Sequence, residues 1–155
     1  MRPGQPEICT LLRQDHRKVA ELLDALIRDG GEGKNVLGLV PQLAADLELH
    51  SCAEEHAVYP RLQRRAESKD DADRAQEEHN AIRNLLKELD GLAPTDERCS
   101  RLLAQLKEEV DYHVEQEETV LFAKLEKLFN EEELQEIAVE FLAAKEALNA
   151  GTLAA

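Results

Sequence analysis

Apolar residues recur along most of this chain every three or four positions, the spacing that lines one face of an α-helix. The first stripe, Ile8, Leu12, Val19, Leu23 and Leu26, predicts a helix over about 6–29 that ends at the Gly30-Gly31-Glu32-Gly33 cluster. The second, Val36, Val40, Leu43, Leu47, Val58 and Leu62, predicts a helix over about 35–66. Pro41 falls early enough to mark its start, and Pro60 lies inside the pattern, where it frees the His56 carbonyl and kinks the helix. Beyond the polar turn Ser68-Lys69-Asp70-Asp71, a third stripe of Ala75, Ile82, Leu86 and Leu89 predicts a helix to about Asp90. Gly91 to Pro94 breaks the pattern, and Thr95 is the expected N-cap of a fourth helix. That helix carries Leu103, Leu106, Val110, Leu121, Leu125 and Leu128 to about Phe129. Asn130 followed by Glu133 has the form of a capping box and opens a shorter fifth helix with Leu134, Ile137, Phe141 and Leu148. This helix is expected on the outside or end of the others, or against another subunit, with residues 150–155 as a frayed tail. Four long amphipathic helices with short loops favour an up-down antiparallel four-helix bundle. The expected fold is all-α, one domain over 1–155, with the bundle over about 7–129 and a short extra C-terminal helix over about 131–149.

Composition narrows the class. A chain of 155 residues can bury a substantial core. Aromatics at 3% and the absence of Trp argue against sandwiches and barrels, whose strands favour such side chains. A net charge of −14 disfavours nucleic acid or an anionic membrane as partner. No apolar run approaches the ~18 residues of a membrane span. Residues 1–6 lack the hydrophobic centre of a signal peptide, so a cytoplasmic location is expected. Cys9, Cys52 and Cys99 are odd in number and lack the close pairing of a zinc or redox motif, which reads as free thiols in a reducing compartment.

Histidine and glutamate interrupt the apolar stripes at two related places. His50 and Glu54 stand four residues apart between Leu47 and Val58; His113 and Glu117 do the same between Val110 and Leu121. Four residues turn a helix by only about 40°, so imidazole and carboxylate share a face. A constant offset of 63 positions relates the two pairs. The same offset carries His16 to His79, Asp15 to Glu78, Val19 to Ile82, Leu43 to Leu106, Glu55 to Glu118 and Val58 to Leu121. The chain therefore reads as two copies of a helical hairpin. His56 falls on Thr119 and stays outside the repeat.

The repeat selects His16, His50, Glu54, His79, His113 and Glu117 as candidate metal ligands. A carboxylate turned into a core needs a compensating charge, and no basic residue shares these inward faces. A set duplicated in this way suits two ions, each held by the two histidines of its own hairpin, with both carboxylates bridging. A bridging oxide or hydroxide would leave each ion about five-coordinate, with an open position for a small ligand. Mixed imidazole and carboxylate suits iron or manganese more than structural zinc. Glu55 and Glu118 turn about 100° away and are expected at the surface or behind the ligands. His56, Cys52 and Glu115 are expected to face outward. An ideal helix turns Tyr59 away from the site while Pro60 distorts the helix there, so edge packing and reach to the metal are both open.

The order His, His-x-x-x-Glu, His, His-x-x-x-Glu on four helices resembles the hemerythrin-like, or HHE cation-binding, domain. The resemblance covers about 7–129. It includes Asp15 with His16, Glu54 with Glu55 before Tyr59 and Pro60, Glu78 with His79, and Glu117 with Glu118 before Leu121 and Phe122. It implies a non-haem di-iron centre with two iron ions, oxo- or hydroxo-bridged, on the six ligands named above; manganese and zinc are the other candidate metals. Some relatives bring a nearby phenolate to iron, the role open to Tyr59. Oxygen-carrying relatives have a further histidine where this chain has Ala75, and an aspartate five residues after the fourth-helix histidine where this chain has Glu117 at four. Sensing, redox and iron-handling roles are therefore implied as readily as reversible oxygen carriage. A ferritin-like site would place Glu-x-x-His on two helices and single glutamates on the others, which this chain does not. The expected function is binding of O2, NO or another small ligand in oxygen, redox or iron sensing or stress response. The alternatives are an enzyme disproportionating peroxide and an iron-handling or structural metal-binding bundle. Expected partners are a small diatomic ligand or peroxide, no nucleic acid, no membrane, and a second copy or protein partner on the C-terminal helix.

Overall fold

The computed structural model describes residues 6–29, 36–93 and 95–151, and among them every regular element is helical. Helix α1 spans Glu7–Asp29, α2 Val36–Ala57, α3 Tyr59–Gln63, α4 Lys69–Asp90 and α5 Arg98–Gln116. A π-helical segment, Glu117–Leu121, follows directly, then α6, Phe122–Leu128, and α7, Glu131–Asn149. The glycine cluster after α1, Asn35 and the tail from residue 152 lie outside the described residues.

Helices α1, α4 and α7 sit where the apolar spacing places them, and α7 carries its capping box. Asn130 Oδ1 accepts the Glu133 N–H at 2.8 Å and Glu133 Oε2 accepts the Asn130 N–H at 2.9 Å. The other elements depart from expectation for local reasons. The second stripe is two helices rather than one kinked helix: α2 stops at Ala57, and α3 opens with Pro60 in its first turn, where a missing N–H breaks no helical bond. Pro41 lies inside α2 instead of starting it. Thr95 is not the N-cap of α5, which starts at Arg98; Asp96 Oδ1 accepts the Arg98 N–H at 2.9 Å instead. The fourth stripe keeps its direction but widens into the π segment, which a search for a 3.6-residue period does not detect.

Two apolar clusters flank a polar layer. One joins Ile8 and Leu12 from the start of α1 with Ala57, Val58 and Leu62, with Ala72 and Ala75 from the start of α4, and with Leu121, Phe122 and Leu125. Ile137 and Phe141 of α7 close this cluster. The other joins Val19, Leu23 and Leu26 from the end of α1 with Leu43 and Leu47, with Ile82, Leu86 and Leu89, and with Leu103, Leu106 and Val110. Burying each valine, leucine, isoleucine or phenylalanine among them contributes roughly 1.5–3 kcal/mol, and the two clusters hold between them a layer that burial alone disfavours. That layer is His16, His50, Glu54, His79, His113 and Glu117, all buried. Helices α1, α2, α4 and α5 touch in a closed ring, α1 against α2 and α5, and α4 against the same two. Helix α7 lies on the flank, against α2 and α1. No helix among the described residues is long and apolar enough to cross a membrane.

Candidate metal centre

The elements above deliver one inward histidine each from α1, α4 and α5, a histidine and a glutamate from α2, and Glu117 from the first position of the π segment. All six side chains belong to residues 6% exposed or less. Their donor atoms form two groups, each within 4.8 Å of one another: His16, His50 and Glu117 in one, Glu54, His79 and His113 in the other. Each group takes both histidines of one sequence hairpin and the carboxylate of the other hairpin. The carboxylates also reach across. Glu54 Oε1 lies 2.7 Å from His50 Nε2 and 3.4 Å from His79 Nε2. Glu117 places Oε1 at 3.0 Å from His16 Nε2 and Oε2 at 3.4 Å from His113 Nε2.

These residues fit cations better than they fit one another. His50 Nε2 and both oxygens of Glu54 are buried without a hydrogen-bond partner, so the 2.7 Å approach between them lacks hydrogen-bond alignment. Orphaning buried polar groups costs about 1–3 kcal/mol each. The Nε2 atoms of His79 and His113 face each other at 3.2 Å, where two lone pairs repel unless a proton or a cation lies between them. Charge follows the same logic. Burial, followed by the charge of Glu117, raises the Glu54 carboxyl well above its ordinary range. Burial also opposes ionisation of Glu117, but the charge of His113 and the hydrogen bond and charge of His16 outweigh it and hold that carboxyl well below its ordinary range. His16 is raised to about 10, because hydrogen bonds to Glu117 and Glu118 overcome the burial that opposes its charge. Burial lowers His50, against the hydrogen bond that its ring donates to Asp15. Without a cation the cluster balances itself with protons, and metal binding would displace them.

Behind each imidazole stands a carboxylate. The Nδ1–H groups donate to Asp15 from His50 at 2.9 Å, to Glu78 from His113 at 2.9 Å, to Glu118 from His16 at 2.9 Å, and to Glu55 from His79 at 3.0 Å. This fixes the tautomer that leaves Nε2 free to ligate and raises its basicity. The four carboxylates are two repeat pairs, Asp15 with Glu78 and Glu55 with Glu118. Glu55 and Glu118 therefore stand behind the candidate ligands, one of the two places open to them from helix geometry. Helix geometry does not reveal the roles of Asp15 and Glu78; their position beside the repeated histidines is the signal for them. An outer tier holds three of these carboxylates: Arg13 on Glu118 at 3.1 Å, Gln76 and Arg83 on Glu55 at 3.0 and 2.7 Å, and Lys145 on Asp15 at 2.7 Å.

Tyr59 belongs to the site. The helix break at Val58 turns its ring inward, where the hydroxyl donates to Glu117 Oε2 at 2.8 Å and lies 3.0 Å from His79 Nε2. Burial, then the charges of Glu117 and Glu54, raise the phenol well above its usual range, so it keeps its proton. Its repeat counterpart is Phe122, stacked on His16 with ring centroids 6.4 Å apart. His56 and Glu115 are exposed as expected. Cys52 is not. It is buried on the side covered by α4, its thiol 2.9 Å from Glu48 Oε1 and 3.6 Å from Arg83. All three cysteines are free and buried, and burial pushes the Cys9 thiol up to about 12 and the Cys52 thiol up to about 11. Against the four histidines lies a cavity of about 10 Å³ whose other walls are Val19, Leu47, Ser51, Ile82, Val110 and Val114, about the space that one water needs.

The fold and site together define a helical protein with paired histidine–carboxylate groups suited to cations. The profile of the hemerythrin HHE cation-binding domain matches residues 8–125, and a second alignment covers 77–149. The chain belongs to the hemerythrin HHE cation-binding family. A protein named DNA nickase from Nostoc sp. (strain PCC 7120) is 30% identical over 135 residues, which cover 87% of this chain and 38% of that relative. This chain thus spans well under half the length of the relative. No solved structure matches it.

Proposed function

We propose that this is a non-haem di-iron protein that binds O2, NO or another small ligand in oxygen, redox or iron sensing or stress response. The observation that carries the reading is the pair of donor groups in which Glu54 and Glu117 each approach histidines of both groups. His16, His50 and Glu117 would hold one ion; Glu54, His79 and His113 would hold the other. An up-down antiparallel order of the four long helices is part of this reading, because each apolar cluster joins the start of α1 or its end with the opposite end of α2. Bound iron would supply redox chemistry and an attachment point for the ligand. The protein's own part is to hold each imidazole by its Nδ1–H, to keep a hydroxyl proton at Tyr59 beside Glu117, and to exclude water with Val19, Leu47, Ile82 and Val110. So small and apolar a cavity favours a diatomic ligand over an organic substrate.

Peroxide disproportionation, two hydrogen peroxide molecules giving two waters and O2, is the second reading, favoured by the Tyr59 hydroxyl at the centre. The activity in the relative's name is not carried over, because a net charge of −14 repels a phosphate backbone. Plasmid nicking by the iron-loaded chain would reverse that judgement. The deciding experiment is metal analysis with the optical spectrum of air-exposed protein, before and after dithionite. Two irons per chain with near-ultraviolet absorption that bleaches and returns in air support the proposal; one tightly held zinc and no such absorption overturn it. Rapid O2 evolution on adding peroxide would move the reading to the enzyme.

A further inference from the structure

The carboxylates behind the histidines obey the internal repeat, but the cations behind those carboxylates do not. Glu118 and its counterpart Glu55 each hold a guanidinium, from Arg13 and Arg83. Asp15 and its counterpart Glu78 are treated differently. Both Asp15 oxygens accept from Lys145 of α7 at 2.7 Å, while Asp15 also receives the His50 Nδ1–H. Glu78 receives the His113 Nδ1–H on Oε1, and its Oε2 is buried without a hydrogen-bond partner. No lysine or arginine among the described residues lies within ion-pair distance of Glu78. Helix α7 stands outside the repeat, so Lys145 is a charge given to one half and not the other. Phe141, one turn earlier on α7, neighbours both Lys145 and His50: Lys145 Nζ is 5.4 Å from its ring centroid, and its ring meets the His50 ring edge-on at 6.1 Å.

We propose that Lys145 is a positioning residue that makes the two cation positions unequal, so that the position built from Glu54, His79 and His113 fills before the one built from His16, His50 and Glu117. This rests on the metal-binding reading above. A carboxylate behind a ligating histidine raises the basicity of that ligand. Lys145 draws on the same Asp15 oxygens and weakens that support at His50, and its positive charge adds direct repulsion toward an ion held there. Glu78 supports His113 with its charge undivided. Because Lys145 is carried by α7, the seating of that helix on α1 and α2 sets the difference.

The test titrates the ion-free full chain with Co²⁺ under nitrogen, followed by calorimetry and by the visible absorption of the bound ion. Two steps are expected, at least roughly tenfold apart in affinity. His113→Ala should remove the tighter step and His50→Ala the weaker. Lys145→Gln, which keeps a hydrogen-bond donor and removes the charge, should narrow the gap by about tenfold, and Lys145→Arg should keep it. Two equal steps, loss of the tighter step in His50→Ala, or a gap unchanged by Lys145→Gln would each overturn the proposal. Should Lys145→Gln fail to fold, the order of filling in the wild-type chain and the two histidine variants still decides it. Failure to bind any Co²⁺ is a different result, and it would overturn the metal-binding reading itself.

Discussion

A carboxylate with no basic neighbour on its own face is a demand for positive charge, and Glu54 makes that demand with both oxygens buried and unpartnered. Glu117 is better served, by His16 and Tyr59. Because each carboxylate approaches histidines of both groups, Glu54→Gln or Glu117→Gln should reduce binding from two ions per chain to one or none. Metal content after gel filtration checks this, and a variant that keeps two ions would show that the carboxylate is not shared. Tyr59→Phe removes a buried donor to Glu117. It should destabilise the ion-free protein by about 1–3 kcal/mol, read by urea denaturation; an unchanged midpoint would mean the phenol contributes packing alone.

At the scale of the element, periodicity located every long helix and Pro60 marked where the second is interrupted, but nothing in the spacing marked where the fourth widens. Two features re-aim the ends of the ligand helices, the break at Val58 before α3 and the π segment at Glu117–Leu121. They occupy repeat-equivalent stretches, yet one copy uses a proline-led restart and the other a widened turn. The first lies one turn after Glu54 and the second begins at Glu117, and the first brings Tyr59 to the site. Capping was legible where the side chain acts locally, as at Asn130, and misleading at Thr95, where Asp96 offers the nearer acceptor. Asn130→Ala removes the α7 cap and should cost about 1 kcal/mol. Since α7 packs on α1 and α2, the loss should appear in global denaturation; amide exchange confined to α7 with an unchanged global midpoint would show that this helix opens separately.

For the molecule as a whole, the centre couples folding to protons and to cations. His16 in the ion-free protein is raised from 6.5 to about 10. A group raised on folding stabilises fully below its unfolded value and loses that contribution as pH rises through the folded one. The ion-free protein should therefore lose stability between about pH 6.5 and pH 10. Bound ions take the place of that proton, so the loaded protein should be flatter over this range and more stable, by about 2.7 kcal/mol at a free metal concentration of 100 Kd. Acid works the other way: below about pH 5 protons should compete with a bound metal for its donors and release it. Thermal melts of chelated and loaded protein against pH measure all three; curves that run parallel would mean the ions do not engage His16.

The all-helical class and the six inward side chains were determined by the sequence alone, because apolar spacing and a repeat offset are properties of a one-dimensional pattern. His16 and His79 gained meaning only through that repeat, since a single histidine on an apolar stripe is ordinary. The tertiary structure decided which residues form each candidate cation group. Pairing across hairpins joins Glu117 to His16 and His50, and Glu54 to His79 and His113, and no spacing within one helix encodes a contact between two. It also decided that Cys52 is buried and Tyr59 turned inward, and that Lys145 reaches Asp15 from 130 positions away. The physical reason is common to all of these. Facing along a helix follows from its pitch, whereas facing between helices depends on how kinked, widened and flanking elements pack, which is settled only when the core closes.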